Sequence, residues 1–258
     1  GEIQLKNNAF EIRFRSSKGG KYRSQLRYRL ELNVNSPLGE NVAADKTIQL
    51  HKLPFRLTGN LPESIDLNAL NELKIQAINH SGKKLQQRGQ VELWSLNSPK
   101  KVSIEKYWGG LDHQLIKEDE YQESFPYYEY NDSNSLESFN IKRLLSRQAF
   151  RSNVALRTYN NLEAGAYLIK AYSVSSNGDT IRWQKRFMLY DQKAKKLPYP
   201  TDLWTHLPND SLIQGESIKL ILGSGFANFE ITAEVEYKGS IAVSRKINLN
   251  AEQKSISF

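Results

Sequence analysis

One pattern occurs twice in this sequence with identical spacing. In both copies an aromatic residue precedes a glycine by 11 positions and a leucine by 22: Tyr28, Gly39 and Leu50, then Tyr167, Gly178 and Leu189. A looser third copy runs from Phe229 through Gly239 to Leu249. Alternating apolar and polar residues on both sides of a glycine predict two strands joined by a short turn. A hairpin that recurs at this spacing indicates a chain of related β-sandwich domains and not an enzyme built around one pocket.

Alternation of apolar and polar residues is also the main signal elsewhere, as in residues 10–14, 26–34 and 47–50. The 258 residues are 39% hydrophobic and 10% aromatic, which is enough to fill the cores of two or three small domains. We therefore predict an all-β protein made of tandem immunoglobulin- or fibronectin-like β-sandwiches, with one short helical insertion.

The positions of the repeats and of two Leu-Pro breaks predict where the domains divide. The tight copies close units, and Leu53-Pro54 and Leu197-Pro198 open new ones. We predict the second half of a sandwich in residues 1–53, a complete sandwich in 54–195 and the first part of another in 196–258. Alternatively, the two end segments form one discontinuous domain. Either division indicates a piece of a longer array whose exposed sheet edges favour end-to-end pairing.

The stretch at about residues 98–140 interrupts the second sandwich and has a different character. Residues 116–124 predict a short helix that stops at Pro126, and residues 118–137 hold seven acids with no Lys or Arg. After it, residues 144–157 predict one or two strands, although residues 141–150 alone also fit a helix. A connection of this length is typical of a functional insertion or a mobile loop.

Charge elsewhere is basic, and the net charge of the chain is +8. Bases such as Arg13, Arg27 and Arg182 alternate with apolar residues along predicted strands. This alternation is typical of a solvated sheet face, so we predict no nucleic-acid partner.

Five aromatic residues within the insertion are the candidate partner-contact residues: Tyr121, Phe125, Tyr127, Tyr128 and Tyr130. Clustered tyrosines supply large, rigid contact area to a partner. The alternative is structural, because the same side chains can fold back and cap the sandwich.

Residue patterns for catalysis are missing. The sequence has no cysteine, its four histidines lack metal-ligand spacing, and Leu222-Gly223-Ser224-Gly225 lacks the nucleophile-elbow pattern. Three consecutive acids from Glu118 point in different directions and fit a solvated loop better than a carboxylate pair. We predict no catalytic, cofactor-binding or metal-binding residue, no cofactor and no enzymatic activity.

Several segments resemble bacterial alpha-2-macroglobulin-like proteins, especially the large envelope proteins of Bacteroidetes. The resemblance is carried by Leu61-Pro62-Glu63-Ser64-Ile65, by residues 73–85 and by Val91-Glu92-Leu93-Trp94. Gly165-Ala166-Tyr167 is similar to the Gly-x-Tyr entry to a late strand of the family's macroglobulin domains. Residues 197–239 are similar to the next domain boundary.

The resemblance implies a non-catalytic scaffolding segment of a protein that traps or inhibits proteases, located in the periplasm or at the cell surface. Its implied partners are neighbouring macroglobulin domains and proteases, with membrane association only through an anchor outside this segment. The family's thioester needs Cys-x-Glu-Gln, so Glu252-Gln253 without cysteine is a coincidental match. Residues 107–140 also fit a cleavable bait segment. The alternative function is a glycan- or protein-binding immunoglobulin-like surface module.

Overall fold

A computed structural model confirms that the protein is predominantly β-sheet, with a single α-helix among the residues it describes. The described residues are 25–35, 39, 41–72, 74–104, 115–130, 135–151, 154–155 and 162–258. The chain divides into two compact units, Gly1–Pro54 and Phe55–Phe258. The predicted strand at residues 10–14 and His113 lie outside the described residues.

The first unit contributes one long antiparallel hairpin of strands β1 (Gln25–Asn35) and β2 (Asn41–His51). Cross-strand partners share a face, and Tyr28 pairs with Ile48. Alternate β1 residues are half-buried and exposed, which is the pattern of a strand with one apolar face.

The second unit contains the remaining elements in chain order. Its strands are β3 (Phe55–Gly59), β4 (Ser64–Asp66), β5 (Lys74–Asn79), β6 (Lys84–Leu85), β7 (Arg88–Leu96), β8 (Ile141–Arg151), β9 (Val154–Ala155), β10 (Gly165–Val174), β11 (Thr180–Tyr190), β12 (Trp204–His206), β13 (Lys219–Ser224), β14 (Phe229–Tyr237), β15 (Ser240–Leu249) and β16 (Glu252–Ser257). Its helices are α1 (Glu118–Ser124) and two 3-10 turns, Leu67–Glu72 and Leu136–Ser138.

Two sheets of this unit pack face to face. The larger has the strand order β4-β11-β10-β7-β8, and the smaller joins β3, β5 and β6, with β9 also paired to β5. Inward-facing side chains such as Leu93, Ile169 and Phe187 are at most 2% exposed. Gly59 of β3 lies so close to the Trp183 ring of β11 that a Cβ atom there would sit 2.4 Å from the ring. This close approach brings the two layers together as a sandwich.

The C-terminal strands form a second, smaller pair of sheets, β12-β13-β16 and the hairpin β14-β15. Leu222, Ile247 and Leu249 form their buried core, with Phe229 and Ile231 packed against it. Burial decreases toward the tip of the hairpin, where Ile241 is 60% exposed.

All three copies of the repeat fold as hairpins, as the sequence predicts, and each leading aromatic residue pairs with the residue 20 positions later. The glycines Gly39, Gly178 and Gly239 have φ angles of 86°, 84° and 77°, a region that favours glycine. The third copy keeps the pairing of Phe229 with Leu249 by combining a two-residue turn with a β-bulge after Val235.

Residues 141–150 are a strand and not a helix, because β8 is paired along its length with β7. The helix predicted at residues 116–124 is present as α1, which begins at Glu118 and ends at Ser124, with Phe125 as its C-cap just before Pro126. The division into residues 1–53, 54–195 and 196–258 stays a prediction.

Candidate interaction surfaces

The candidate aromatic residues of the insertion divide into two groups. Tyr121 of α1 lies 5.1 Å from the ring of Phe125 and 5.4 Å from the ring of Tyr130, between ring centres. The Tyr130 hydroxyl donates a hydrogen bond to the carbonyl of Ile116 at 2.7 Å. These three rings therefore hold the short helix against its own flanking chain, although Phe125 remains 46% exposed.

Tyr127 and Tyr128 contact other parts of the second unit. The Ile104 amide donates to the Tyr127 carbonyl at 2.6 Å, and Ile104 pairs with Tyr128 in an isolated parallel bridge. The Tyr127 ring stands edge-on to Phe226, with ring centres 5.8 Å apart, yet its side chain is 58% exposed. The Tyr128 amide donates to the Phe125 carbonyl at 3.1 Å, so the backbone joins the two groups. Contact of the five residues with a partner stays a prediction.

The end of the insertion covers one end of the larger sheet. Phe139 is buried with Leu96, Leu168 and Met188 on the outward face, and Leu136 packs against them. The Arg186 guanidinium donates to the Phe139 carbonyl at 2.5 Å and lies 3.4 Å from the Glu137 carboxylate. Leu136 and Phe139 therefore cap this end of the sheet. The alternative in which the five aromatic residues of the insertion cap the sandwich stays a prediction.

A buried carboxylate organises the rest of this outward face. Glu92 is 6% exposed and receives hydrogen bonds from Arg147 Nε at 2.9 Å, Trp94 Nε1 at 3.0 Å and Tyr172 hydroxyl at 3.3 Å. Because these donors come from β7, β8 and β10, the network fixes the lateral order of three strands. Burial, and then the charge of Glu92, raise the pKa of Tyr172, so its hydroxyl stays a donor.

Sequence reasoning missed this network, and its signal is visible in the strand itself. Glu92 stands between Val91 and Leu93 in an otherwise apolar run, two positions before Trp94. A carboxylate in such a run is a candidate for burial with a paired cation.

The passage from β11 to the C-terminal sheets forms a second organised region, which we call the junction (residues 190–204 with Gln253). Tyr190, Leu197, Trp204 and Ile221 form its buried cluster, and the ring centres of Tyr190 and Trp204 are 5.5 Å apart.

Gln253, a residue of strand β16, holds the segment that connects β11 to β12. Its backbone amide donates to the Lys195 carbonyl at 2.7 Å, and its side-chain Nε2 donates to the carbonyls of Asp191 at 2.6 Å and Ala194 at 2.8 Å. Gln253 is 3% exposed. The Glu-Gln pair that matches the end of a thioester motif therefore has a structural role here.

A cavity of about 670 Å³ opens beside the junction. Its lining includes Lys100, Arg143, Tyr167 and Lys196, and the Tyr167 hydroxyl donates to the Glu163 carbonyl at 2.8 Å. Burial raises the pKa of Tyr167. The convergent groups are cations, the Glu163 carboxylate and a protonated phenol, without a paired nucleophile and base.

The described parts of the chain contain no group of three or more His, Cys, Asp or Glu side chains able to hold a metal ion. The His206 ring packs against Tyr190 in a tilted arrangement with ring centres 4.6 Å apart, and burial lowers the pKa of its imidazole. None of the helices in these parts is long and apolar enough to cross a membrane.

Comparison with known proteins adds no family assignment. No family model matches this sequence, and no curated protein matches it at a significant level.

Proposed function

We propose that this chain is a non-catalytic scaffolding segment of an alpha-2-macroglobulin-like envelope protein that traps or inhibits proteases. The proposal starts from the family resemblance of residues 61–65, 73–85 and 91–96. It is supported by the all-β fold and by the recurrence of one hairpin along the chain.

The observation that carries the proposal is the junction. A flexible linker lets neighbouring domains rotate freely, but here three hydrogen bonds from Gln253 and a buried aromatic cluster hold residues 190–204. A segment that fixes the direction of the following sheets is suited to positioning reactive parts that lie elsewhere in a longer protein.

In this role the segment binds neighbouring domains and helps to enclose a protease, without a cofactor and without contact to nucleic acid. Any covalent capture belongs to other parts of the protein, since this sequence has no cysteine. The proposed location is the periplasm or the cell surface.

The test is to incubate the natural protein that contains this chain with a protease of broad specificity. The products are then separated by size, and the large fraction is assayed for retained protease. We expect protease to remain with the large fraction in a form that is inhibited toward protein substrates. If no protease is held or inhibited, the proposal is wrong.

A junction variant shows whether this segment takes part. Gln253→Ala removes both side-chain hydrogen bonds, and we expect it to lower the amount of retained protease. Ser255→Ala is the matched control, because Ser255 is an exposed residue two positions later on the same strand.

A second candidate function is a glycan- or protein-binding surface module. It is favoured by the exposure of Phe125 and Tyr127, which leaves two aromatic rings accessible on a structured insertion. Binding to a glycan array by the unmodified chain, and its loss in Tyr127→Ala and Tyr128→Ala, would support it. No binding by any of the three proteins would refute it.

A further inference from the structure

The outward face of the larger sheet carries a concentration of positive charge on its uncapped half. The basic face, as we name it, consists of five residues on four adjacent strands: Arg88, Arg147, Arg151, Lys170 and Arg182. Strand pairing places them on one face. Arg88 pairs with Arg151, Arg147 and Lys170 both pair with Glu92, and Arg182 pairs with Tyr172.

The register sets the spacing of these cations. Arg147, Glu92, Lys170 and Gln184 form one row across β8, β7, β10 and β11. Because neighbouring strands lie about 4.8 Å apart, the backbones of Arg147 and Lys170 are about 10 Å apart. The other three cations stand in the two rows toward the turn after Val174. The result is a broad, flat array of charge.

Little negative charge balances this array. Glu92 is the only carboxylate on these strands within the array, and its oxygens are occupied by Arg147, Trp94 and Tyr172. Five cations against one carboxylate leave a net charge of +4 on the described part of this face. The cations attract anions and repel one another, so a bound polyanion would stabilise the folded state.

Two of the cations are held in place before any ligand arrives. Arg147 is fixed by Glu92 through Nε and through Nη2 at 2.8 Å. The Lys170 ammonium lies over the Trp94 ring, 5.4 Å from its centre. Side chains ordered in advance lose less conformational entropy on binding.

The same geometry disfavours nucleic acid. Proteins that bind single strands stack bases on accessible aromatic rings, whereas the Trp94 ring is half-buried beneath Lys170 and Tyr172 is half-buried and tied to Glu92. A flat sheet face also cannot enter the major groove of a duplex. Exposed Gln90 and Gln184 lie between the cations, and their amides suit hydroxyl groups.

We propose that the basic face binds an anionic polysaccharide bearing carboxylate or sulfate groups. The proposal rests on the second candidate function, that of a surface module, and assigns the binding to the sheet instead of the aromatic insertion.

The experiment measures binding of the full chain to heparin, to polygalacturonate, to uncharged dextran and to a single-stranded oligonucleotide by isothermal titration calorimetry at two salt concentrations. We expect the tightest binding to one or both anionic polysaccharides, none to dextran, and at least a tenfold loss of polysaccharide affinity in the double variant Lys170→Gln, Arg182→Gln. The salt dependence should also weaken in that variant, since fewer counterions are released. Circular dichroism checks that the variant is folded.

The matched control is Lys83→Gln, Lys84→Gln. It removes two positive charges from exposed positions away from the basic face, one in the turn before β6 and one at the start of β6, and we expect its affinity to be unchanged. Equal losses in both double variants would show attraction to net charge alone and would overturn the proposal.

Three further results would also overturn it: tighter binding to an oligonucleotide than to either polysaccharide, binding to dextran, and no binding to any polymer. If Tyr127→Ala and Tyr128→Ala abolish binding while the sheet variant keeps it, the surface-module function stands and the assignment to the basic face fails.

Discussion

Glu92 shows how one side chain links stability to the properties of a surface. A carboxylate that is 6% exposed is costly to bury unless each oxygen finds a donor. Here the donors are a guanidinium, an indole and a phenol, which are the polar groups of the residue types that dominate binding hot spots. The carboxylate therefore orders the surface on which a partner would rest.

Glu92→Gln tests this network. The amide keeps the shape but removes the charge that pairs with Arg147, and its NH₂ group faces donors instead of accepting from them. We expect a loss of about 2 kcal/mol in the free energy of unfolding, measured by urea denaturation. Gln90→Glu, on the exposed outward face of the same strand, should change it by much less, and an equally large effect there would contradict a specific role for Glu92.

Tyr190 gives a pH dependence at the alkaline end. Burial, and then the charge of Asp66, raise its pKa to about 12. In the unfolded chain the pKa of a tyrosine phenol is about 10. The contribution of Tyr190 to the free energy of unfolding is therefore complete below about pH 10 and is lost as the pH rises toward 12.

We therefore expect the free energy of unfolding of the natural protein, relative to that of Tyr190→Phe, to fall between about pH 10 and about pH 12. Urea midpoints of both proteins measured across this range give the difference directly. Tyr237→Phe, at a residue 66% exposed, is the control for substitution at an exposed tyrosine. A difference that stays constant with pH would show that Tyr190 does not titrate as argued.

At the scale of elements, the repeated hairpins were predictable because their determinants are local. Alternation sets the strands, and a glycine with positive φ sets the turn. The strand β8 was less predictable, since residues 141–150 fit two periods and only pairing with β7 decides between them. The cap formed by Phe139 was also invisible, because it depends on Leu168 and Met188 arriving from distant strands.

The β14-β15 turn offers a test of the local determinant. Its two central residues, Lys238 and Gly239, both have positive φ angles, 51° and 77°, as a type I′ turn requires. Lysine is strained in this region and asparagine much less so. We expect Lys238→Asn to raise the free energy of unfolding by about 1 kcal/mol, seen as a higher melting temperature.

Gly239→Ala should have the opposite effect in the same melting experiment, because a Cβ atom is disfavoured at this φ. A Ser240→Asn control changes a residue just outside the turn and should leave the melting temperature close to that of the unmodified protein. If Lys238→Asn instead lowers the melting temperature, the strain at Lys238 does not limit the stability of the protein.

At the scale of the whole molecule, the junction decides how the parts of the second unit act together. Gln253 lies 62 residues after Asp191 and closes the connecting segment onto β16. We expect Gln253→Ala to cost about 2 kcal/mol for two buried hydrogen bonds. Strands β12 to β16 should then exchange amide hydrogens before the larger sandwich does.

Hydrogen exchange followed by mass spectrometry measures this separation. In the unmodified protein we expect protection of the two parts to be lost together as urea is raised. Ser255→Ala should behave like the unmodified protein. Uncoupled exchange already present before any substitution would argue against a fixed junction, and with it against the scaffold proposal.

The sequence by itself determined the β class, the three hairpins, the short helix and the lack of patterns for catalysis, because each depends on residues close together in the chain. Tertiary structure alone decided that Gln253 holds the junction, that Phe139 caps the sheet, and that Glu92 gathers donors from three strands. The cations of the basic face likewise come from four strands, so strand register, not sequence spacing, brings them together.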